Sequence, residues 1–152
     1  MVEQVYNAFL GCDQKVTTDT RNIAKNDLFF ALKGPNFNGN KFAEKALELG
    51  AKYAVIDEKE YFIEGKTFLV ENVLETLQNL ARHHREKINI PVVAITGTNG
   101  KTTTKELLGA VLTSQYNILI TEGNLNNHIG VPLTLLQLNK QHEIAVIEMG
   151  AS

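Results

Sequence analysis

At 152 residues, with 43% hydrophobic and 21% charged side chains, the chain has the composition of a globular protein with one average domain or two small ones. A formal net charge of −2 gives no global drive toward nucleic acid or an anionic membrane surface, and no apolar run approaches the ~20 residues that cross a bilayer. The single cysteine, Cys12, excludes an intrachain disulfide and a multi-thiolate zinc site, and reads as an inert, partly buried thiol. No basic stretch followed by an apolar run marks a signal peptide, so a cytoplasmic protein is expected, with no nucleic-acid partner and no membrane insertion; a monomer is the working expectation, although the sequence itself does not give the oligomeric state.

In chain order, Val2, Val5, Tyr6 and Phe9 fall at helical spacing, predicting a short helix that ends near Gly11. KVTTDTR favours a strand leading into a turn at Asp19-Thr20-Arg21. LFFAL (28–32) reads as a buried strand, and 33–40, rich in Gly, Pro and Asn, as a loop. Phe42, Ala43, Ala46, Leu47 and Leu49 share a helical face closed by Gly50. YAVID (53–57) and TFLVE (67–71) are strand candidates. Val73, Leu74, Leu77, Leu80, Ala81 and His84 stripe a longer helix whose polar end, 82–87, reads as the exit from a first domain of residues 1–85.

Residues 86–152 form a second unit. Pro91 leads into a buried strand over 92–96, then a glycine turn, a helix to about Ser114 carrying Leu107, Leu108, Val111 and Leu112, and a strand over 117–121. The loop EGNLNNHIG follows, Pro132 opens a Leu-rich helix, and EIAVIEMG supplies a last strand. The fold class is therefore α/β: a small N-terminal α/β domain, then the first part of a parallel-sheet, mononucleotide-binding P-loop domain. The second unit has only about 60 residues where an open α/β domain has roughly 100–150, so the chain is expected to be the N-terminal part of a longer protein.

The chemistry centres on residues 91–112. A strand that delivers Gly100-Lys101-Thr102 to a helix N-terminus aims backbone N–H groups and the positive end of the helix dipole at one point, which is how a polyphosphate such as that of ATP is held. Gly97-Thr98-Asn99-Gly100-Lys101-Thr102 departs from Gly-x-x-x-x-Gly-Lys-[Ser/Thr], because Ile95 occupies the first glycine position. Gly97 and Gly100 would let the backbone approach phosphate oxygens, Lys101 would bring a mobile charge to them, and the Thr102 hydroxyl would face Mg²⁺. Glu148 ends the last apolar strand, on the edge where ligands of open α/β sheets gather, and is placed to share that cation. Asn124, Asn126, Asn127 and His128 lie in a loop on the same expected edge, where they could line a substrate channel or only shape turns.

GTNGKTTTK resembles the ATP site of the Mur ligase family, the cytoplasmic ATP-dependent amide-forming enzymes of peptidoglycan synthesis, and folylpolyglutamate synthase has a similar turn. TTDTRNIAKNDLFFALKGPNFNGNKF and AEKALELGAKYAVID resemble the UDP-binding N-terminal domain of the members that add the third and later stem-peptide residues. TEGNLNNHIGVPLTLL and AVIEMGAS resemble the member that adds D-alanyl-D-alanine, and the likeness covers roughly residues 15–152. The resemblance implies ATP and Mg²⁺ as cofactors, held by Gly97, Thr98, Asn99, Gly100, Lys101, Thr102 and Thr103. Lys101 would be the catalytic, phosphate-binding lysine, and Thr102 and Glu148 the cation's ligands. Thr20 and Arg21, with Lys33, Gly34, Asn38 and Asn40 of the 33–40 loop, would contact the UDP-sugar. Asn124 and Asn127 would border the channel between ATP and the substrate carboxylate. The family loop usually reads Asp-Gly-His-x-Phe; here Asn38-Gly39-Asn40-Lys41-Phe42 puts amides where an aspartate and an imidazole stand, though an amide still donates and accepts.

The implied reaction phosphorylates the terminal carboxylate of UDP-MurNAc-tripeptide with ATP, and the amino group of D-Ala-D-Ala then displaces phosphate from the acyl-phosphate. A later lysine, a histidine, an adenine-binding region and a C-terminal domain for the amine would lie beyond Ser152, so these residues alone are expected to lack ligase activity. Three other readings remain: a Mur ligase adding the third stem-peptide residue, a P-loop kinase or NTPase, and a UDP-sugar-binding module without catalysis.

Overall fold

The computed structural model describes residues 2–150 and divides the chain into two compact units, Met1–Leu80 and Ala81–Ser152. In the first, α1 (Val2–Gly11) buries Val5, Tyr6, Ala8 and Phe9 and ends where Asp13 and Gln14 take left-handed backbone angles. The strands β1 (Val16–Thr17), β2 (Leu28–Phe30), β5 (Tyr53–Ile56) and β6 (Thr67–Leu69) form an all-parallel sheet in the order β1-β2-β5-β6. All three residues of β2 are buried, as expected of an inner parallel strand covered on both faces. Phe29 packs with Ala54 and Ile56 against Ala43 and Ala46 of α2 (Ala43–Glu48), small residues that let the helix approach the sheet closely.

The 33–40 stretch is more ordered than a loop of turn formers suggests. A two-residue antiparallel pair, β3 (Lys33–Gly34) with β4 (Phe37–Asn38), folds it back, and a 3₁₀ turn over Gly39–Phe42 joins it to α2. A Cβ on Gly39 would collide with the backbone of Ala31 and Leu32, so glycine is required there by close approach. Helix α3 (Val73–Lys87) starts at Asn72, whose side chain accepts the Glu75 N–H at 2.9 Å, and the division between the units falls within it.

Cys12 is fully buried, and burial pushes its thiol pKa up to about 11. We expect Cys12 to stay unmodified by a thiol reagent such as DTNB in the native chain and to react at once in denaturant. Native-state labelling as fast as in denaturant would refute this.

The second unit is a parallel sheet of β7 (Val92–Ile95), β8 (Ile118–Ile120) and β9 (Ile144–Glu148), in the order β7-β9-β8. Its core joins Leu119, Leu138, Ala145 and Ile147 to Val92, Val131 and Leu135, the last two from α5 (Gly130–Leu135), which begins before Pro132. Helix α4 (Lys101–Thr113) packs on β8 and β9 through Gly109, where an added Cβ would lie 2.5 Å from Ile120 Cδ1.

Two expectations are corrected here. Among the described residues β7 pairs with β9 alone, and the expected burial of the 92–96 strand is not met there: Val93 and Ala94 are exposed. Leu107 and Val111 are likewise exposed, because α4 turns Lys105 and Gly109 inward instead. No helix of the described residues is long and apolar enough to cross a membrane.

Candidate active site

The turn after β7 runs from Gly97 (φ 145°) to Gly100 (φ 76°), which caps α4. A Cβ on Gly100 would meet nothing within 4 Å, so its backbone angle, not crowding, calls for glycine. The helical ladder begins with Thr104 N–H donating to the Gly100 carbonyl at 2.9 Å. The N–H groups of Lys101, Thr102 and Thr103 therefore have no partner within the helix and are available to an anion. Lys101 folds back over the turn, its Nζ donating to the Gly97 carbonyl at 2.5 Å.

Below this turn stands Glu148, 1% exposed, at the carboxyl end of the central strand β9. The Asn126 amide donates to its Oε1 at 2.9 Å, and the Thr102 hydroxyl lies 3.2 and 3.3 Å from its two oxygens. Lys105 Nζ sits 3.6 Å from Oε2. The Asn126 hydrogen bond outweighs the upward push of burial and, with Thr102 and Lys105, holds the carboxyl below its ordinary pKa. Thr98, Gly100, Lys101, Thr102, Asn126 and Glu148, with Asn99 and Thr103, line one hollow of about 340 Å³. Basic, hydroxyl and acidic groups thus meet at a helix N-terminus.

Asn124 and Asn127 do not line that hollow. Asn127 Oδ1 accepts the N–H groups of Ile129 and Gly130 at 3.0 and 2.8 Å and so shapes the start of α5, and the Asn124 carbonyl accepts Asn126 N–H. Asn126 is the amide of that loop that reaches Glu148.

In the N-terminal unit the other sequence-selected residues follow the carboxyl ends of β1 and β2. Beyond β1, Asp19 holds Arg21 in a two-pronged pair (2.6 and 2.9 Å) that lowers the Asp19 pKa to about 2, and Thr20 stands between them. Beyond β2, Lys33 Nζ lies 2.9 Å from Asp57 Oδ1 and 3.4 Å from Glu58 Oε1, and the Asn38 amide donates to both Glu58 oxygens. Gly34 is exposed at the hairpin. Asn40 is fully buried: its amide donates to Asp57 Oδ1 at 2.9 Å and to Asn38 Oδ1 at 3.0 Å, and its oxygen accepts Asp57 N–H at 2.9 Å. Burial pushes Asp57 up, but Lys33, Asn40 and the Val73 N–H together hold its pKa below the usual value. Asn40 thus spends its polar atoms inside the protein.

Residues 14–96 match the description "Mur ligase family, catalytic domain", and residues 95–152 match "Mur ligase middle domain". The chain belongs to the Mur ligase family. It is 44% identical over 137 residues to the UDP-N-acetylmuramoyl-tripeptide–D-alanyl-D-alanine ligase of Synechocystis, covering 88% of this chain and 30% of the relative. For the ligase of the same name from Haemophilus influenzae the identity is 43%, covering 91% of this chain and 31% of the relative. Among solved structures, MurF from Acinetobacter baumannii superposes with a TM-score of 0.83 at 38% identity, over 90% of this chain and 30% of that one. MurF ligase from Thermotoga maritima in complex with ADP gives 0.82 at 36%, over 93% and 33%. A UDP-N-acetylmuramoyl-L-alanyl-D-glutamate–2,6-diaminopimelate ligase, at 20% identity and a TM-score of 0.55, shares the fold. The chain spans about 30% of the length of the curated relatives it matches.

The donor set of this Mur ligase chain suits a hard divalent cation that arrives with a nucleotide. Thr102 and Glu148 offer hydroxyl and carboxylate oxygens at one point. The described residues contain no group of three acidic, His or Cys side chains able to cage a metal unaided. Mg²⁺, which keeps its waters and takes phosphate oxygens, fits such a partial site.

Reading the sequence missed Lys105, Asp57, Glu58 and also Thr121, whose hydroxyl accepts the Glu148 N–H at 2.9 Å and whose carbonyl accepts from Lys105 Nζ at 2.8 Å. Asp57, like Glu148, closes an apolar strand at its carboxyl end, so the same reasoning would have found it. Lys105 lies three residues after Thr102, hence on the same helical face.

Proposed function

We propose that this chain is the portion of an ATP-dependent ligase that binds UDP-MurNAc-tripeptide through its N-terminal unit and the nucleotide's phosphates through its second unit. The complete reaction joins D-Ala-D-Ala to the tripeptide through an acyl-phosphate, in the cytoplasm, as a step of peptidoglycan synthesis. The observation that carries this reading is the meeting of the α4 N-terminus, Lys101, Thr102, Asn126 and Glu148 around one hollow. The relatives named for this activity, at 43–44% identity, supply the substrates. The diaminopimelate-adding alternative rests on a likeness of fold alone.

In this proposal the residues position and neutralise. The free N–H groups of the first turn of α4 and Lys101 Nζ, leaving the Gly97 carbonyl, bind phosphate oxygens. Thr102 and Glu148 would hold Mg²⁺, which would offset the repulsion between the phosphate and carboxylate anions. Asn126 fixes the Glu148 carboxylate. Thr20, Arg21, Lys33, Gly34 and Asn38, on the carboxyl edge of the N-terminal sheet, face the UDP-sugar.

Titration calorimetry with UDP-MurNAc-tripeptide and with Mg·ADP, done separately, tests both halves. Binding of each is expected. UDP-sugar binding without nucleotide binding would reduce the chain to a UDP-sugar module, and binding of neither would end the proposal. No D-Ala-D-Ala-dependent phosphate release is expected from these 152 residues alone.

A further inference from the structure

We propose that Lys105 is a built-in counter-ion for Glu148, whose charge keeps a free divalent cation from binding tightly until a nucleotide brings its own phosphates. The inference rests on the nucleotide-binding reading and adds to it a means of discriminating the cation–nucleotide complex from the bare cation.

Lysine is almost never fully buried unless it is paired, yet Lys105 is 1% exposed. Its ammonium donates to the Thr121 carbonyl at 2.8 Å and forms ion pairs with Glu106 Oε1 at 3.2 Å and Glu148 Oε2 at 3.6 Å. The first two anchor the ammonium between α4 and the end of β8. The third places a fixed positive charge beside the one buried carboxylate of the hollow. Asn126 and Thr102 already orient Glu148, so Lys105 is not needed to hold its direction. What only Lys105 supplies is charge. A dication seated between Thr102 and Glu148 would share that carboxylate with the ammonium, and in a partly desolvated hollow the two cations repel strongly. Bound phosphates, bringing negative charge on the other side of the cation, remove that disadvantage.

A strut between α4 and β8 would have no such electrostatic signature. Its removal would lower stability and leave cation affinity unchanged or weaker. The test measures binding of free Mn²⁺, without nucleotide, by the paramagnetic resonance of unbound ion. Lys105→Gln keeps a donor-bearing side chain but loses the charge, and is expected to bind free Mn²⁺ about tenfold more tightly. Lys105→Arg keeps the charge and is expected to stay near wild type.

Glu106 is 67% exposed, so Glu106→Gln folds whatever Lys105 does. It leaves the ammonium less offset and should weaken free Mn²⁺ binding about two- to threefold. Unchanged or weaker binding in Lys105→Gln, or tighter or unchanged binding in Glu106→Gln, overturns the proposal. If wild type fails to bind Mn·ADP, the nucleotide reading falls and takes this inference with it. If wild type binds Mn·ADP while Lys105→Gln shows wild-type affinity for free Mn²⁺, only the counter-ion role is lost.

Discussion

Lys101→Met is expected to weaken Mg·ADP binding by ~10–100-fold while leaving the melting temperature of the chain close to wild type. Among the described residues the ammonium hydrogen-bonds to the Gly97 carbonyl alone, at the solvent side of an exposed turn, so its loss leaves no buried group of theirs unsatisfied. A charge-assisted hydrogen bond to phosphate contributes ~1.5–3 kcal/mol, which is the source of the expected loss of affinity. The remaining affinity comes from the N–H groups of Lys101, Thr102 and Thr103, which any side chain at 101 leaves in place. Two measurements separate the outcomes: calorimetry with Mg·ADP and a thermal melt. Unchanged affinity would mean that the turn does not face phosphate. A large fall in melting temperature would mean that Lys101 is structural.

The contrast between Lys101 and Lys105, one turn apart, marks how far the sequence could be read. Strand, glycine turn, lysine and hydroxyl are local, so Lys101 and Thr102 were legible together. Glu148 was legible because an acid closing an apolar strand of a parallel sheet must emerge on the ligand edge. Lys105 was not, because its burial depends on β8 and β9 closing over α4, and a lysine in a helix ordinarily belongs to the solvent face. The same tertiary fact misled the reading of Leu107 and Val111. Their spacing is that of a buried stripe, yet α4 meets its sheet through Gly109 and Lys105. β2 was readable as buried because every one of its residues is apolar. β7 has the same composition, but among the described residues it pairs with β9 alone, and composition does not encode a strand's place in the order β7-β9-β8. Asn124, Asn126 and Asn127 share one loop and one chemistry, so only the conformation of that loop distinguishes Asn126, which reaches Glu148, from Asn127, which stops at the start of α5.

Asn40→Asp is expected to destabilise the chain by ~3 kcal/mol at neutral pH, the cost of facing buried acceptors and charges with no donor between them. The two Asn40 amide hydrogens are both committed, to Asp57 Oδ1 and to Asn38 Oδ1, and its oxygen accepts Asp57 N–H. Aspartate keeps the last bond and turns the other two into oxygen against oxygen, one of them a carboxylate against a carboxylate. Asn38 has no cheap escape by rotation, because its own amide hydrogens are held by Glu58 while its oxygen accepts Asn40 N–H. Lys33 offsets one of the two charges but is itself 44% exposed. The new carboxyl would therefore have a folded-state pKa raised above its unfolded value of about 3.9. The penalty is then full above the raised pKa and fades as pH falls through it, since a single proton shared by the pair restores a donor. Urea unfolding at pH 7 and at about pH 4.5 should show the mutant's deficit shrinking in acid, while a deficit that is equal at both values would show that lost shape, not charge, was the cause. Because Asp57 also accepts the first N–H of α3, the amide ties the hairpin over 33–38 to the end of β5 and the start of that helix. Lys33 and Gly34 are thereby left on the exposed side of a hairpin tied down through Asn40 and Asp57, on the edge where the proposed UDP-sugar site needs them.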